Sequence, residues 1–447
     1  MSKIKSFGDV QYLCFQGGGG LGFAYIGAIE ALQAINNSSR PELPLIIPGQ
    51  RNRMIGVSGA SAGAIMGLFV ALGCSASDLK KLFSDPHEFD EFFDGPSPGE
   101  VRAIVPTNYH TALRLTNKSD PLFSVKNAKA AVELLKAMAA AADDPESFPA
   151  VLSGFVGSAI ALALFTLLLP DAKRFVHEYL QSVPYWLDKV LDKRRLYISN
   201  FVSDRGLFPG FAVRKFLMSK MDTFVRRIPT WKRYPRLPNP ATMNFAMFRE
   251  LTGVDFVVTG TNVSSRKNVL FSAAHTPEFP VTEAVGISSC FPLMFKPIFV
   301  QSSPSDRVLG ALRGLWVDGG LLNNIPIHAF DGIDDRGLPT RDDGKARKLN
   351  PDVLGFTLMD GAPRSESGYR DPERDTFPLA SFCGDLFATI RVPAEEGQFR
   401  SLDEEQQTIK LFTYGLSLFE FSPGAVQADR PLREAGNSVR EYFGIRA

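Results

Sequence analysis

VQYLCFQGGGGLGFAYIGAIEALQAI, Val10–Ile35, is the stretch from which the fold is read. Val10–Gln16 is a short apolar run with the character of a buried strand. Four glycines follow. From Leu21 to Ile35 the apolar residues Leu21, Ile26, Ile29 and Leu32 recur at helical spacing. Strand, glycine turn and helix in this order are the beginning of a βαβ unit.

The same order returns downstream. Arg40–Gly49 is a loop with three prolines around the short run Leu43–Ile47. Met54–Val57 is a second strand, turning at Ser58–Gly63 into an apolar helix, Ala64–Leu72. Ser77 is expected to cap a third helix that starts near Asp78. Later strands are expected at Asp255–Thr261, Val269–Ala274, Leu315–Val317 and Val353–Met359, and a closing amphipathic helix at Pro431–Phe443. The pattern predicts an α/β fold with a mostly parallel sheet. Between them, Asn108–Leu207 reads as helical and is taken as an insertion (108–207). It contains Ala150–Leu169, which carries no charge. Residues 361–447 are expected to extend the core and pack on it, so that 1–447 is one catalytic domain.

Composition excludes little but orients the search. The chain has 447 residues, 45% of them apolar, and a formal net charge of +1. Nothing global points to nucleic acid. Cys14, Cys74, Cys290 and Cys383 are far apart, without metal-ligand or disulfide-framework spacing. Met1–Asp9 lacks the apolar region of a secretory signal, so a cytoplasmic location is expected. The 36 phenylalanines exceed what a core needs if some are exposed, and a surface surplus suits contact with lipid.

Three motifs carry chemistry. Gly59-Ala60-Ser61-Ala62-Gly63 fits G-x-S-x-G between a strand and a helix. A serine on such a turn is strained and exposed, and only small neighbours let strand and helix approach. Ser58 is a rival without the second glycine at the right distance. Gly17-Gly18-Gly19-Gly20-Leu21-Gly22 places free backbone N–H groups at a helix start, a nest for an anion. It suits an oxyanion hole, and Gly17, Gly19 and Gly22 also satisfy a dinucleotide fingerprint. The fingerprint expects an acidic residue closing the next strand, where Pro48-Gly49 stands instead. Asp318-Gly319-Gly320 ends the strand Leu315–Val317, followed by Asn323, Asn324, Ile325 and Pro326. A free aspartate, with a pKa of about 3.9, is a poor base for a hydroxyl, so burial must raise it or Ser61 must be activated otherwise. A Ser–His–Asp arrangement is the alternative, and His328 is the histidine nearest this motif.

Taken in order, the glycine loop, the Ser61 turn and Asp318-Gly319-Gly320 resemble the patatin-like phospholipase family. Asn262, Phe271-Ser272 and Ser288–Pro292 extend the resemblance, which covers roughly Val10–Leu79 and Gly206–Asp360. It implies a three-layer α/β/α fold and hydrolysis of fatty-acyl esters of phospholipids by a Ser–Asp dyad. Ser61 would be the nucleophile, Asp318 the base, and the N–H groups of Gly18, Gly19 and Gly20 the oxyanion hole. Gly17, Gly22, Gly59, Gly63, Gly319 and Gly320 would shape these turns. No metal and no cofactor is implied. The family usually has Arg or Lys after the glycine run, and Leu21 stands there instead. A non-catalytic lipid- or partner-binding protein and a soluble esterase for small acyl esters are the competing readings.

A phospholipid membrane surface is the expected partner, with room for a protein or lipid activator. Ala150–Leu169 has the length of a bilayer span, and a buried helix, a lid and a single-pass anchor compete for it. Arg214, Lys215, Lys220, Arg226, Arg227, Lys232, Arg233 and Arg236 interleave with Phe216, Phe224, Trp231 and Tyr234. That mixture suits an anionic membrane, or a solvated helix face.

Overall fold

The computed structural model describes residues 6–83, 92–95, 204–229, 242–301, 310–332, 349–359, 402–414 and 425–445, the backbone of 101–107 and 110–116, and a few single residues between. Ala150–Leu169 and Cys383 lie outside the described residues, as do most of 108–207 and of 361–400.

The elements run β1 (Tyr12–Phe15), α1 (Tyr25–Asn36), β2 (Gly56–Gly59), α2 (Ala62–Ala71), α3 (Ala76–Leu82), β3 (Val101–Thr107) and β4 (His110–Thr116). After these come β5 (Gly206–Phe208), α4 (Phe211–Val225), α5 (Phe245–Thr252), β6 (Asp255–Asn262), β7 (Lys267–Phe271), α6 (Val281–Ser288), β8 (Leu293–Phe295), β9 (Ile298–Val300) and β10 (Gly314–Asp318). The chain closes with β11 (Val353–Met359), α7 (Leu402–Gln406), β12 (Thr408–Phe412) and α8 (Ala425–Tyr442).

A ten-stranded sheet has the order β12-β11-β1-β2-β6-β10-β9-β3-β4, with β7 paired to β6. The block from β12 to β6 is parallel, while β10 pairs antiparallel to both β6 and β9. The sheet is mostly parallel with helices on both sides. Period-two alternation sorts its core. Leu13, Phe15, Val57, Phe256, Val258, Leu354 and Phe356 join the larger cluster with α1 and α2. Their neighbours Tyr12, Cys14, Val257 and Val353 pack with Ile325, Ile327, Ala329 and Phe330 in a second cluster. Side chains i and i+1 thus enter different cores, which explains why the strands read as continuous apolar runs. Among the described residues, no helix is long and apolar enough to cross a membrane.

Several boundaries differ from expectation for identifiable reasons. The third helix is capped by Ser75, not Ser77: the Ser75 hydroxyl accepts the Asp78 N–H at 3.1 Å and the Asp78 carboxylate accepts the Ser75 N–H at 3.1 Å. A reciprocal capping box outweighs a lone serine. Residues 110–116, expected in a helix, form β4 and pair along their whole length with β3. β7 stops at Phe271 because Ser272 turns the chain, its hydroxyl accepting the His275 N–H at 3.1 Å. The last helix starts at Ala425, so Pro431 lies inside it. The C-terminal residues are integral to the sheet: β12 adds its edge strand beside β11, and α8 packs on α1.

Candidate active site

Gly59 ends β2 and Ser61 follows with φ 51° and ψ −124°, close to the first central position of a II′ turn. A non-glycine residue held there stores about 1–3 kcal/mol of backbone strain. The turn is tight enough that a Cβ on Gly59 would overlap the Gly63 carbonyl, and one on Gly63 the Phe15 carbonyl. Helix α2 begins at the next residue, so its positive end lies beside the Ser61 hydroxyl.

Asp318 ends β10, and β6 brings it to the serine. Gly59 pairs with Val258 in parallel register, and Asp318 pairs with Gly260 in antiparallel register. β7 pairs with Val258 and with Gly260, so β2 and β10 share the opposite edge of β6. They run toward each other along it and end two residues apart, on either side of Thr259. Gly319 turns the chain there, packed so closely on Thr259 that no Cβ fits.

The Asp318 side chain is buried. Its Oδ1 accepts the Gly320 N–H at 2.7 Å. Oδ2 makes no hydrogen bond of ordinary geometry among the described residues. Burial pushes the carboxyl up to about 7, against the Ser61 hydroxyl and the Gly320 N–H, which pull it down. Ser61 is therefore near enough to act on the carboxyl.

Ser61 opens on a pocket that is open to solvent on one side. Its walls are largely aromatic and aliphatic: Phe23, Ile65, Phe83, Phe92, Phe291 and Phe295. Gly19 and Gly20 line it beside the serine, while Gly18 packs on Leu358 outside it. Gly19 and Gly20 open a 3-10 helix, Gly19–Ala24, where the first N–H groups have no intrahelical acceptor. The Gly17 N–H is occupied, donating to the Asn324 carbonyl at 2.9 Å. Leu21 is buried in the core and brings no charge to the loop.

The other candidates fall elsewhere. Ser58 is fully buried and donates to the Pro326 carbonyl at 3.1 Å. His275 Nδ1 lies 2.8 Å from Ser272 Oγ in its own turn. Among the described residues no histidine lines the pocket or perturbs Asp318. Part of the basic stretch is paired. Arg214 is buried against Glu283, Arg226 pairs with Asp222, and Arg227 with Asp78. Phe216 and Phe224 point into the core, as helical spacing requires. Lys232, Arg233 and Arg236 lie outside the described residues. Cys14, Cys74 and Cys290 are buried free thiols. Among the described residues no cluster of His, Cys, Asp or Glu could hold a metal.

Two supports escaped the sequence. Asn324 clips the glycine loop, its Nδ2 donating to the Gly17 carbonyl at 3.3 Å. Ser288 Oγ accepts the Ser61 N–H at 2.9 Å. The asparagine's place after Asp318-Gly319-Gly320 was a usable signal. Ser288 stood out only within the Ser288–Pro292 part of the resemblance, and no local pattern pointed to its contact with Ser61.

The model of the family "Patatin-like phospholipase" matches residues 13–153 and 156–331. No curated protein matches the chain. Among solved structures, VipD from Legionella pneumophila is 18% identical, with a TM-score of 0.42 over 98% of this chain and 67% of that one. The ExoU–SpcU complex of the Pseudomonas aeruginosa type III secretion system contains a chain 15% identical, with a TM-score of 0.36 over 98% of this chain and 51% of that one. This chain thus spans about two thirds of the first and half of the second. The chain belongs to the patatin-like phospholipase family.

Proposed function

We propose, with family membership as the premise, that the chain is a lipid acyl hydrolase that cleaves fatty-acyl esters of phospholipids through Ser61 and Asp318. One observation carries the reading. A serine on a strained turn opens into an apolar pocket, with a buried carboxyl of pKa about 7 behind it. A carboxyl near neutrality is ionised often enough to take a proton and basic enough to take it from a hydroxyl.

In the first step Ser61 Oγ bonds to the ester carbonyl carbon while its proton passes to Asp318 Oδ2. Backbone N–H groups of the glycine loop, chiefly Gly19 and Gly20, hold the oxyanion. Gly18 acts as part of the loop's frame. The C–O bond then breaks, the proton goes to the departing alkoxide, and lysolipid leaves an acyl-Ser61. In the second step water bonds to the acyl carbon as Asp318 takes its proton, and the C–Oγ bond to Ser61 then breaks as Asp318 passes that proton to Oγ, releasing fatty acid and restoring the serine hydroxyl and the carboxylate. The steps balance without metal or cofactor.

The pocket's apolar, largely aromatic lining favours an acyl chain. A phospholipid membrane surface is the partner this substrate requires, and the chain meets it peripherally. The decisive experiment is fatty-acid release from mixed phospholipid vesicles by wild type, Ser61→Ala and Asp318→Asn, with folding followed by circular dichroism. Loss in both folded variants supports the dyad. Release retained in Ser61→Ala overturns the nucleophile, and an inactive wild type that a fluorophosphonate does not label supports a binding protein.

A further inference from the structure

The strained turn at Ser61 is held from outside by a buried hydroxyl. Ser288, the last residue of α6, has no exposed surface, and its Oγ accepts the Ser61 N–H at 2.9 Å. Two residues on, the Cys290 carbonyl accepts the Asp318 N–H at 2.9 Å. Ser289 and Phe291, the alternate residues, line the pocket. We propose that Ser288 is the positioning residue of the nucleophile, and that Ser288–Phe291 braces both members of the dyad from one rigid segment. The proposal rests on the hydrolase reading of the site.

The segment is itself well anchored. The Cys290 N–H donates to the Ile287 carbonyl at 3.0 Å, and the Ser289 hydroxyl to the Val285 carbonyl at 2.8 Å. Cys290 Sγ contacts the Lys296 carbonyl at 3.1 Å, and Lys296 Nζ pairs with buried Asp204 at 2.6 Å. One turn back on α6, Glu283 pairs with Arg214 of α4. Leu293, just past the segment, holds φ at 66°, a conformation that a bulky side chain adopts only when its surroundings impose it.

The chemistry follows from where the Ser61 N–H goes. Committed to Ser288, it is no donor for the oxyanion, which leaves that task to the glycine loop. The bond instead fixes the peptide plane that enters the turn, and so the direction of Cα–Cβ and of Oγ. Without the acceptor, a buried N–H is left unsatisfied at a strained residue, and the turn relaxes away from attack geometry. Substrate binding is untouched, because the apolar walls stay in place.

The test uses the full chain with Ser288→Ala, and Thr252→Val as a control that removes an equally buried hydroxyl from α5, outside the site. Ser288→Ala is expected to lower kcat on a long-chain p-nitrophenyl ester by about tenfold or more, a near-attack geometry effect. KM stays within about twofold, as expected when ground-state binding is intact. Fluorophosphonate labelling of Ser61 slows by the same factor, and exchange of the Ser61 amide hydrogen accelerates. Should Ser288→Ala fail to fold, Ser288→Cys, which keeps the volume and weakens the acceptor, carries the same expectations. A wild-type kcat in the folded variant, or a loss matched by Thr252→Val, overturns the proposal. A wild type that neither hydrolyses nor labels overturns the hydrolase reading instead. Amide exchange then decides the brace alone: unchanged protection at Ser61 in the variant overturns it.

Discussion

Gly27 of α1 lies directly under the Leu432 carbonyl of α8, with no room between them for a Cβ. The two helices cross at this point, and α8 carries Pro431 beside it. Gly27→Ala is therefore expected to push α8 off α1, at a cost of about 1–3 kcal/mol. Thermal melting followed by circular dichroism reads the loss, and an unchanged midpoint would show that α8 docks elsewhere.

Activity is expected to rise with pH through about 7. Asp318 accepts a proton only when ionised, and burial holds half of it protonated at about that pH. kcat for vesicle hydrolysis should fall about tenfold for each pH unit below the midpoint. A profile flat from pH 5 to 8 would remove Asp318 as the base.

Stability moves the other way. The folded carboxyl binds its proton more tightly than the unfolded one, whose pKa is about 3.9. The stabilisation this gives is complete below pH 4 and is lost as pH rises through about 7. Asp318→Asn escapes that loss. It should melt a few degrees above wild type at pH 8 and level with it near pH 4, while hydrolysing about 10³-fold more slowly or less. A variant less stable than wild type at pH 8 would contradict the burial argument.

Val213 of α4 lines the pocket. Val213→Trp should fill space that a long chain occupies and a short one does not. The ratio of kcat/KM for sixteen-carbon over four-carbon esters is expected to drop about tenfold or more, in line with the 1–3 kcal/mol that one methylene commands in an apolar site. An unchanged ratio would place the acyl chain elsewhere.

Lys296 and Asp204 form a buried pair, both nearly without exposed surface. Removing one partner strands a charge, so Lys296→Met should cost about 3–5 kcal/mol. The double variant Lys296→Met/Asp204→Leu should recover most of it. Chemical denaturation of the three chains measures the coupling, and a double variant no better than the single would assign the pair a role beyond charge compensation.

How much was legible in the residues depended on the range of the interactions. The Ser61 turn, the glycine loop and β11 stand out because local sterics dictate them: small residues between strand and helix, or a seven-residue apolar run. Even the cap at Ser75 was readable, since Asp78 stands three residues on. What escaped came from pairing at a distance. No local pattern says that β10 runs against β6, that residues 110–116 pair with β3, or that Ser288 reaches Ser61. Within the basic stretch, composition ignores direction: helical spacing turns Phe216 and Phe224 inward, while Arg226 pairs with Asp222 on its own helix and Arg227 with the distant Asp78.

The meeting of β2 and β10 on one edge of β6 has a temporal side. β2 and its serine are synthesised early, β6 much later, and the aspartate later still. Until β6 has inserted beside β2 and β10 has folded back on it, the serine has no base. On the proposed reading, a growing chain that ends before residue 318 holds the Ser61 turn without the carboxylate that takes its proton. On the proposed Ser61–Asp318 reading, catalytic competence arrives only with a late event of folding.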